Sequence, residues 1–508
     1  MKKIVVFGAG KSSRVLIDYL SGQLEENGWF LTVADFREAS AKEAVGELPN
    51  TRAIGINVSN KEGRDALISE SDLVISLLPP DYHKLVAQSC LNFSKNLLTA
   101  SYLDDSIKSM QNEIESKGLL FIGELGLDPG IDHMSAMRLI NDIKAEGGKI
   151  HSFYSHCGGL VSPESDSNPW HYKISWNPRN VVNAGKSGAL YLKDGKIIKE
   201  DYSQLFDSSR KLMVRNEMEF SWYPNRNSIP YIDLYQLKGI KNFIRTTLRQ
   251  PEFIFGWKNL VDLKLTSDSL TYETDGMSLR EFFNLHLTQN DFSDWLNKNL
   301  TSKMQKTHDL LDELSDIIET EKEKPNDDKL KDIMIVDDEG ELKDMTIDEI
   351  KMNAAKVAAS NMFEAKVVLH QLMWLGMADS ETIINRGLCT ASEVLLFVLE
   401  EKLKMEPQDK DMVVMLHQLE FEQDGIQMAV DSSLVVYGED NKRTAMAKTV
   451  GLPLAITASL ILKGKLNLTG LHIPVIPEIY NPVLKELENN NIVFEEKIKT
   501  IAGNISNQ

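Results

Sequence analysis

Three acids, a histidine, a proline and two glycines fall within ten consecutive residues, Glu124-Leu125-Gly126-Leu127-Asp128-Pro129-Gly130-Ile131-Asp132-His133. Carboxylates and imidazole are the side chains that exchange protons closest to neutral pH. Glycine and proline between them make turns. The segment follows the apolar run Leu119-Leu120-Phe121-Ile122, so a strand is expected to end in a loop that aims polar groups into a cleft. A second chemistry-bearing stretch, Gly8-Ala9-Gly10-Lys11-Ser12-Ser13, follows the apolar run Ile4–Phe7. In this G-x-G-x-x-S pattern Gly8 permits a tight turn, Gly10 lets the backbone approach a pyrophosphate, and Ser13 is small enough for close helix–strand packing. The N-terminus of the helix that follows presents free N–H groups to phosphate. Gly8, Gly10, Lys11, Ser12 and Ser13 are therefore candidate dinucleotide contacts.

Other residues extend this site. Asp35 closes the second apolar run, where an acid accepts hydrogen bonds from the adenosine ribose hydroxyls. A carboxylate there repels a 2′-phosphate, so the expected cofactor is NAD, with NADP possible because Arg37 stands two residues on. Leu77, Leu78 and Pro79 end the third long run and are expected to line the cofactor cleft.

These groups need a frame. Up to about residue 125, short apolar runs (Ile4–Phe7, Leu31–Ala34, Leu73–Leu78, Asn96–Thr99, Leu119–Ile122) alternate with helical patterns such as Asp81–Phe93 and Asp104–Lys117. Continuous rather than alternating apolar strands imply burial on both faces, hence a parallel sheet flanked by helices. A helix is expected from Gly130 to about Glu146, then an α+β region rich in Tyr, Trp, Asn and Pro over Lys149 to Asp268. Leu279 to Leu399 reads as mostly helical, interrupted by the charged stretch Glu319 to Lys331, which reads as a solvated insertion. Asp411–Leu419 and Ile426–Val436 flank the turn signal Gln423-Asp424-Gly425 and read as a hairpin. A helix follows from Arg443 to about Leu462.

Bulk properties narrow the classes. A chain of 508 residues is expected to form two or three domains. Its 42% hydrophobic and 26% charged residues are ordinary for a soluble globular protein. The net charge of −19 argues against a nucleic-acid partner, and no apolar run approaches the roughly 20 residues of a membrane span. Met1-Lys2-Lys3 before Ile4–Phe7 reads as the start of a strand rather than a leader, because a glycine turn follows. Three cysteines (Cys90, Cys157, Cys389) make no disulfide framework and have no metal spacing. A reducing cytoplasm and no metal are expected.

The decapeptide resembles the signature of the glutamate-forming saccharopine dehydrogenase family, which includes the second half of aminoadipic semialdehyde synthases. Further segments similar to that family occur in its order along most of the chain. They are Thr99-Ala100-Ser101-Tyr102, Cys157-Gly158-Gly159-Leu160, Tyr223-Pro224-Asn225-Arg226, Thr247-Leu248-Arg249, Ala445 to Pro453, and Glu478-Ile479-Tyr480. Val161-Ser162-Pro163 departs from the family's Ala-Pro, and the charged insertion matches nothing in it. The resemblance implies an α/β fold: a Rossmann-like doubly wound parallel sheet (1–128 plus about 440–508), an α+β substrate or dimerisation domain (129–285 plus about 401–439), and a smaller helical domain (286–400) carrying the insertion near 319–350. It implies an NAD(P)-dependent oxidoreductase of lysine metabolism that interconverts saccharopine with L-glutamate and 2-aminoadipate 6-semialdehyde, with a homodimer possible. Carried over residue by residue, Asp128 and Cys157 lie nearest the reacting centre, and Ser101, Tyr102, Asp128, Arg226, Thr247, Leu248 and Arg249 contact substrate.

The chemistry agrees with that reading. A substrate with three carboxylates needs convergent cations, and arginine forks suit carboxylates. Arg226 and Arg249 stand in the similar segments, and Arg245 is expected one helical turn before Arg249. His133 and His156 are candidate proton shuttles or core histidines. Glu124 is either a nicotinamide contact or a helix cap. Two rival readings stay open: a relative acting on another imine adduct such as carboxynorspermidine, and a dinucleotide-binding sensor without turnover.

Overall fold

The computed structural model describes residues 1–206, 210–290 and 366–501, together with 295, 305, 308, 333–336, 342–345 and 363–364. The charged stretch 319–331 lies outside the described residues. Within 319–350 only the antiparallel pair Ile333–Val336 and Leu342–Met345 is described. The chain divides into two compact units, one of Met1–Ser167, His171–Pro251 and Leu403–Gln508, the other of Asn168–Trp170 and Glu252–Lys402.

The first unit holds two sheets. One has seven strands, in the order Thr51–Gly55, Trp29–Asp35, Lys2–Phe7, Leu73–Ser76, Asn96–Thr99, Leu120–Ile122 and Gly470–His472, and every neighbouring pair is parallel. The order reverses between Lys2–Phe7 and Leu73–Ser76. At such a switch point the connections leave in opposite directions and open a crevice at the carboxyl ends of the strands. Leu73–Ser76 is buried throughout, which is why its apolar run is unbroken. The Thr51–Gly55 strand (T-R-A-I-G) is an edge, with no fully buried residue. That is why it carries no apolar run in the sequence.

The second sheet has nine strands of mixed direction. Lys149–Val161 lies at its centre, parallel to Asn242–Arg249 and antiparallel to Asp411–Gln423. Asp411–Gln423 and Ile426–Tyr437 form the hairpin, turning at Asp424 (φ 53°) and Gly425 (φ 80°).

The helix Ala445–Leu462 ties the two sheets together. Its first N–H groups, of Ala445 and Met446, donate to the buried carboxylate of Asp411 at 2.5 and 3.0 Å, and Ala447 N–H donates to Thr444 Oγ1. By length and composition this helix could cross a membrane. Here its apolar residues share one core with Leu16, Leu31 and Leu73 of the parallel sheet's layer and with Val413 and Met415 of the other sheet.

The second unit carries the helices Pro251–Asp262, Leu279–Gln289 and Ala391–Lys402 and the strand pair Thr271–Glu273 with Leu388–Thr390. Its core is aromatic. Phe253 stacks on Trp257 at 5.1 Å, and Trp170 meets Trp257 edge-on. The aromatic residue Trp170 is therefore a packing element of this unit.

Candidate active site

The cofactor end is built on the switch point. Gly8 has φ +106°, and a Cβ there would stand 2.6 Å from the Leu77 carbonyl oxygen, so only glycine fits. A Cβ on Gly10 would meet nothing within 4 Å, which leaves room for a ligand to lie against the backbone. Lys11–Ser13 forms one short helical turn leading into the helix Arg14–Ser21. Lys11 Nζ donates to the Ile174 carbonyl at 2.9 Å. Leu77, Leu78 and Pro79 follow the strand Leu73–Ser76, beside Gly8.

Asp35 ends its strand as expected, but its carboxylate has work inside the loop. Oδ2 accepts the Ala9 N–H at 2.8 Å and Oδ1 accepts the Arg37 N–H at 2.9 Å. Asp35 therefore clamps the glycine turn. Arg37 N-caps the next helix, and its side chain is exposed. A glycine turn with an open face, a following helix and an acid–arginine pair at the second strand suit a dinucleotide.

The substrate end forms around the decapeptide. Gly130 has φ +148°, and a Cβ there would fall 2.1 Å from the Gly126 carbonyl oxygen. The two glycines let the loop close on itself and hold Asp128 between them, with its side chain 15% exposed. Tyr102 O–H donates to Asp128 Oδ1 at 3.3 Å, and the Arg226 guanidinium lies 5.5 Å from the Tyr102 ring centroid. Arg226 is exposed and adopts φ 52°, a backbone state uncommon outside glycine. Ser101 Oγ lies 2.7 Å from His83 Nε2, whose Nδ1 meets Ser76 Oγ at 2.8 Å. Burial pushes His83 down to about 4.

Arg245 is the residue the sequence reading misplaced. It lies on the strand Asn242–Arg249, not on a helix, so Arg245, Thr247 and Arg249 share one face by the period of two. It is 4% exposed, and its Nη2 donates to Asp128 Oδ1 at 2.5 Å and to Asp132 Oδ2 at 2.7 Å. Tyr231 covers its plane at 4.2 Å. Its Nη2 is taken by two internal acids, whereas its buried Nε has no hydrogen-bond partner among the described residues. The signal for its place on a strand face was present in the alternation 245–247–249.

Cys157 lies directly beside Thr247 in the parallel register. Burial, with Asp128 and Asp132 adding to it, pushes its thiol well up, so it stands as a neutral thiol. His156 points to the opposite face, with Nδ1 2.6 Å from Thr246 Oγ1, and burial pushes it down to about 3. The pleat thus separates the neighbours His156 and Cys157. Leu248 also faces away, in a buried cluster with Leu160, Phe220 and Met412. Only its backbone is on the side of Thr247 and Arg249. Arg249 lies over Tyr172 at 5.1 Å and donates to the Leu248 carbonyl at 2.7 Å.

His133 is fully buried, with Nε2 3.0 Å from Glu124 Oε2 and Nδ1 2.6 Å from Tyr235 Oη. Glu124 Oε1 also accepts the Leu103 N–H. These two therefore brace the loop from behind. Trp176 donates to Tyr172 Oη. Trp222 meets His156 edge-on, on the face away from Cys157. Among the described residues no cluster of metal-ligating side chains occurs.

Two family models cover this frame. Residues 4–122 match the saccharopine dehydrogenase NADP binding domain and 126–493 the saccharopine dehydrogenase C-terminal domain. The chain belongs to the saccharopine dehydrogenase family. Saccharopine dehydrogenase [NADP(+), L-glutamate-forming] of Saccharomyces cerevisiae is 31% identical over 505 residues, 99% of this chain and 100% of that one. The solved structure of apo histidine-tagged saccharopine dehydrogenase (L-Glu forming) from Saccharomyces cerevisiae superposes with a TM-score of 0.77 at 29% identity, covering 98% of this chain and 100% of that one. Alpha-aminoadipic semialdehyde synthase of Arabidopsis thaliana is 31% identical over 520 residues, 97% of this chain but 44% of its own length. The saccharopine dehydrogenase match thus spans both the glycine turn and the decapeptide.

Proposed function

We propose that this chain is a glutamate-forming saccharopine dehydrogenase that uses NADP(H), interconverting saccharopine with L-glutamate and 2-aminoadipate 6-semialdehyde. One observation carries the reading. Asp128, with a partly exposed carboxylate whose Oδ2 has no partner among the described residues, stands between a tyrosine-backed arginine and a neutral thiol, in a chain whose relatives carry that activity from end to end.

The bound dinucleotide supplies the acceptor for the hydride leaving the carbon next to the secondary nitrogen. The residues of this chain prepare that nitrogen. An ammonium has no lone pair to support oxidation at its neighbour, so a base must take its proton first. Burial holds Asp128 above its ordinary range, Arg245 opposes this and Asp132 adds to it. Asp128 is therefore suited to accept the proton and, in the reverse direction, to return it. Cys157, kept as a thiol, and Tyr102, whose hydroxyl burial also keeps protonated, hold by hydrogen bonds the water that attacks the imine, and the proton which that water gives up passes by way of Asp128 to the departing nitrogen. Arg226, open to the cleft, pairs with a substrate carboxylate. Ser101 and Thr247 contribute hydroxyls, and Arg249 binds a second carboxylate from the sheet face.

For the dinucleotide, the sequence favoured NAD through Asp35. The matched domain is an NADP binding domain and the relatives are named for NADP(+). Asp35 is occupied by the Ala9 and Arg37 N–H groups, and the Arg37 side chain is the cation placed to meet a 2′-phosphate. Asp35→Ala is thus expected to weaken both dinucleotides by loosening the glycine turn, and Arg37→Ala to weaken NADP alone; titration of cofactor fluorescence reads both.

The deciding experiment incubates the protein with saccharopine and each dinucleotide and follows near-ultraviolet absorbance of the reduced form. Reduction with saccharopine supports the assignment. Binding of dinucleotide without reduction, or reduction only with a diamine adduct, overturns it.

A further inference from the structure

Asp132 is 1% exposed and sits in the first turn of the helix Ile131–Ala145. Its Oδ1 accepts the Gly130 N–H at 2.6 Å, and its Oδ2 accepts from Arg245 Nη2 at 2.7 Å. The same nitrogen donates to Asp128 Oδ1 at 2.5 Å. Two carboxylates, one buried and one partly exposed, thus share one nitrogen of one buried cation.

The two acids are not equivalent. Asp132 is held by its own loop as well as by the arginine. Asp128 is held by Arg245 and by a longer bond from Tyr102, and its side chain is 15% exposed against 1% for Asp132. An arginine given wholly to one buried carboxylate keeps that carboxylate ionised. An arginine that also serves a fixed second carboxylate neutralises the first only in part.

We propose that Asp132 is a positioning residue that divides Arg245 between two carboxylates, and that this division leaves Asp128 free to take up and return a proton at the substrate nitrogen. The proposal rests on the amine-oxidising reading of the site and names what tunes it. The groups that face Asp128 come from five elements: Tyr102 after the strand Asn96–Thr99, Asp132 and His133 on the helix, Arg245 on its strand, Tyr231 from the helix Pro230–Leu234, and Cys157 from Lys149–Val161. Tyr102, Tyr231 and Cys157 are held protonated by burial and are neutral across the working range. Arg245 stays cationic. His133 is engaged on both nitrogens, by Glu124 and Tyr235. Asp132 is the fixed negative charge that works against Arg245.

The sign follows. Removing the Asp132 charge leaves Arg245 to Asp128 alone, so Asp128 binds its proton less tightly. The acidic limb of kcat/KM for saccharopine oxidation then moves to lower pH. Three proteins decide this: wild type, Asp132→Asn, and Asp132→Glu, which keeps the charge. The expected result is a limb displaced to lower pH in Asp132→Asn and restored towards wild type in Asp132→Glu, with NADP affinity unchanged. A limb that superimposes in all three, or an activity loss equal at every pH that Asp132→Glu does not relieve, overturns the proposal.

Carbon-13 NMR of aspartate-labelled protein separates this from the functional reading. The carboxyl resonance missing in Asp128→Asn is expected to titrate above the ordinary carboxylate range in wild type, and at lower pH in Asp132→Asn. If saccharopine is not turned over, the functional reading fails while this titration still tests the shared arginine. If Asp132→Asn does not fold, a wild-type Asp128 resonance that titrates in or below the ordinary range overturns the proposal by itself.

Discussion

At the residue scale the site depends on which polar atoms are already spent. Both oxygens of Asp35 and the Nη2 of Arg245 are engaged internally, whereas Asp128 Oδ2 has no hydrogen-bond partner among the described residues and Arg226 is exposed. Asp128→Asn keeps the shape and removes the base. A positioned acid–base group contributes typically 10²–10⁴-fold, so kcat is expected to fall about 10²-fold or more, with the NADP dissociation constant little changed in a fluorescence titration. Arg226→Ala removes a charge-assisted pair, a class of interaction typically contributing about 1.5–3 kcal/mol. The KM for saccharopine is therefore expected to rise roughly tenfold or more while cofactor binding holds; a normal KM would take Arg226 out of the site.

At the element scale the decapeptide works because two glycines allow its backbone to fold onto itself. Alanine at 130 would drive its Cβ to 2.1 Å from the Gly126 carbonyl oxygen, at a φ of +148°. Backbone atoms cannot yield as a side-chain tip can. Strain of this kind costs roughly 1–3 kcal/mol per residue before any clash is counted, so Gly130→Ala is expected to lower the urea midpoint of the first unit and to displace Asp128. Loss of saccharopine turnover before loss of the far-ultraviolet helix signal is the outcome to look for. Elements with a local apolar pattern or turn signal were legible from the chain alone: Asn96–Thr99, the helix Ile131–Ala145, the hairpin about Asp424-Gly425 and the helix Ala445–Leu462. Asp104–Lys117 is two short helices, Asp105–Lys108 and Gln111–Ser116, rather than one. Thr51–Gly55 and Gly470–His472 escaped because they are the two edges of the seven-stranded sheet and bury too little to leave a pattern.

At the scale of the molecule, three buried histidines couple stability to pH. Burial pushes His83 and His417 down to about 4 and His156 to about 3, from an ordinary value of 6.5. Their folded values lie below the unfolded one, so their contribution is complete above about pH 6.5 and is lost as pH falls towards 4. The unfolded chain binds protons across that window and the folded one does not. The urea midpoint is expected to drop steeply between those limits. In His417→Phe, which removes one such group from between the rings of Phe153 and Phe494, the drop should be shallower. An equal slope in both proteins would show that His417 is not among the groups responsible.

Local chemistry was enough to read the glycine turn, the parallel sheet, the decapeptide loop and the arginines of the family-like segments, because turn geometry and strand burial are written in consecutive residues. The partners of Arg245 were not readable that way. Asp128 and Asp132 are more than a hundred positions distant, and they meet it only because a central strand of one sheet passes under a helix that leaves the other. The same holds for the roles of Asp35 and His156. A carboxylate turned back onto its own loop, and an imidazole sent to the far face by a pleat, are decided by which neighbours the folded chain brings within about three ångströms.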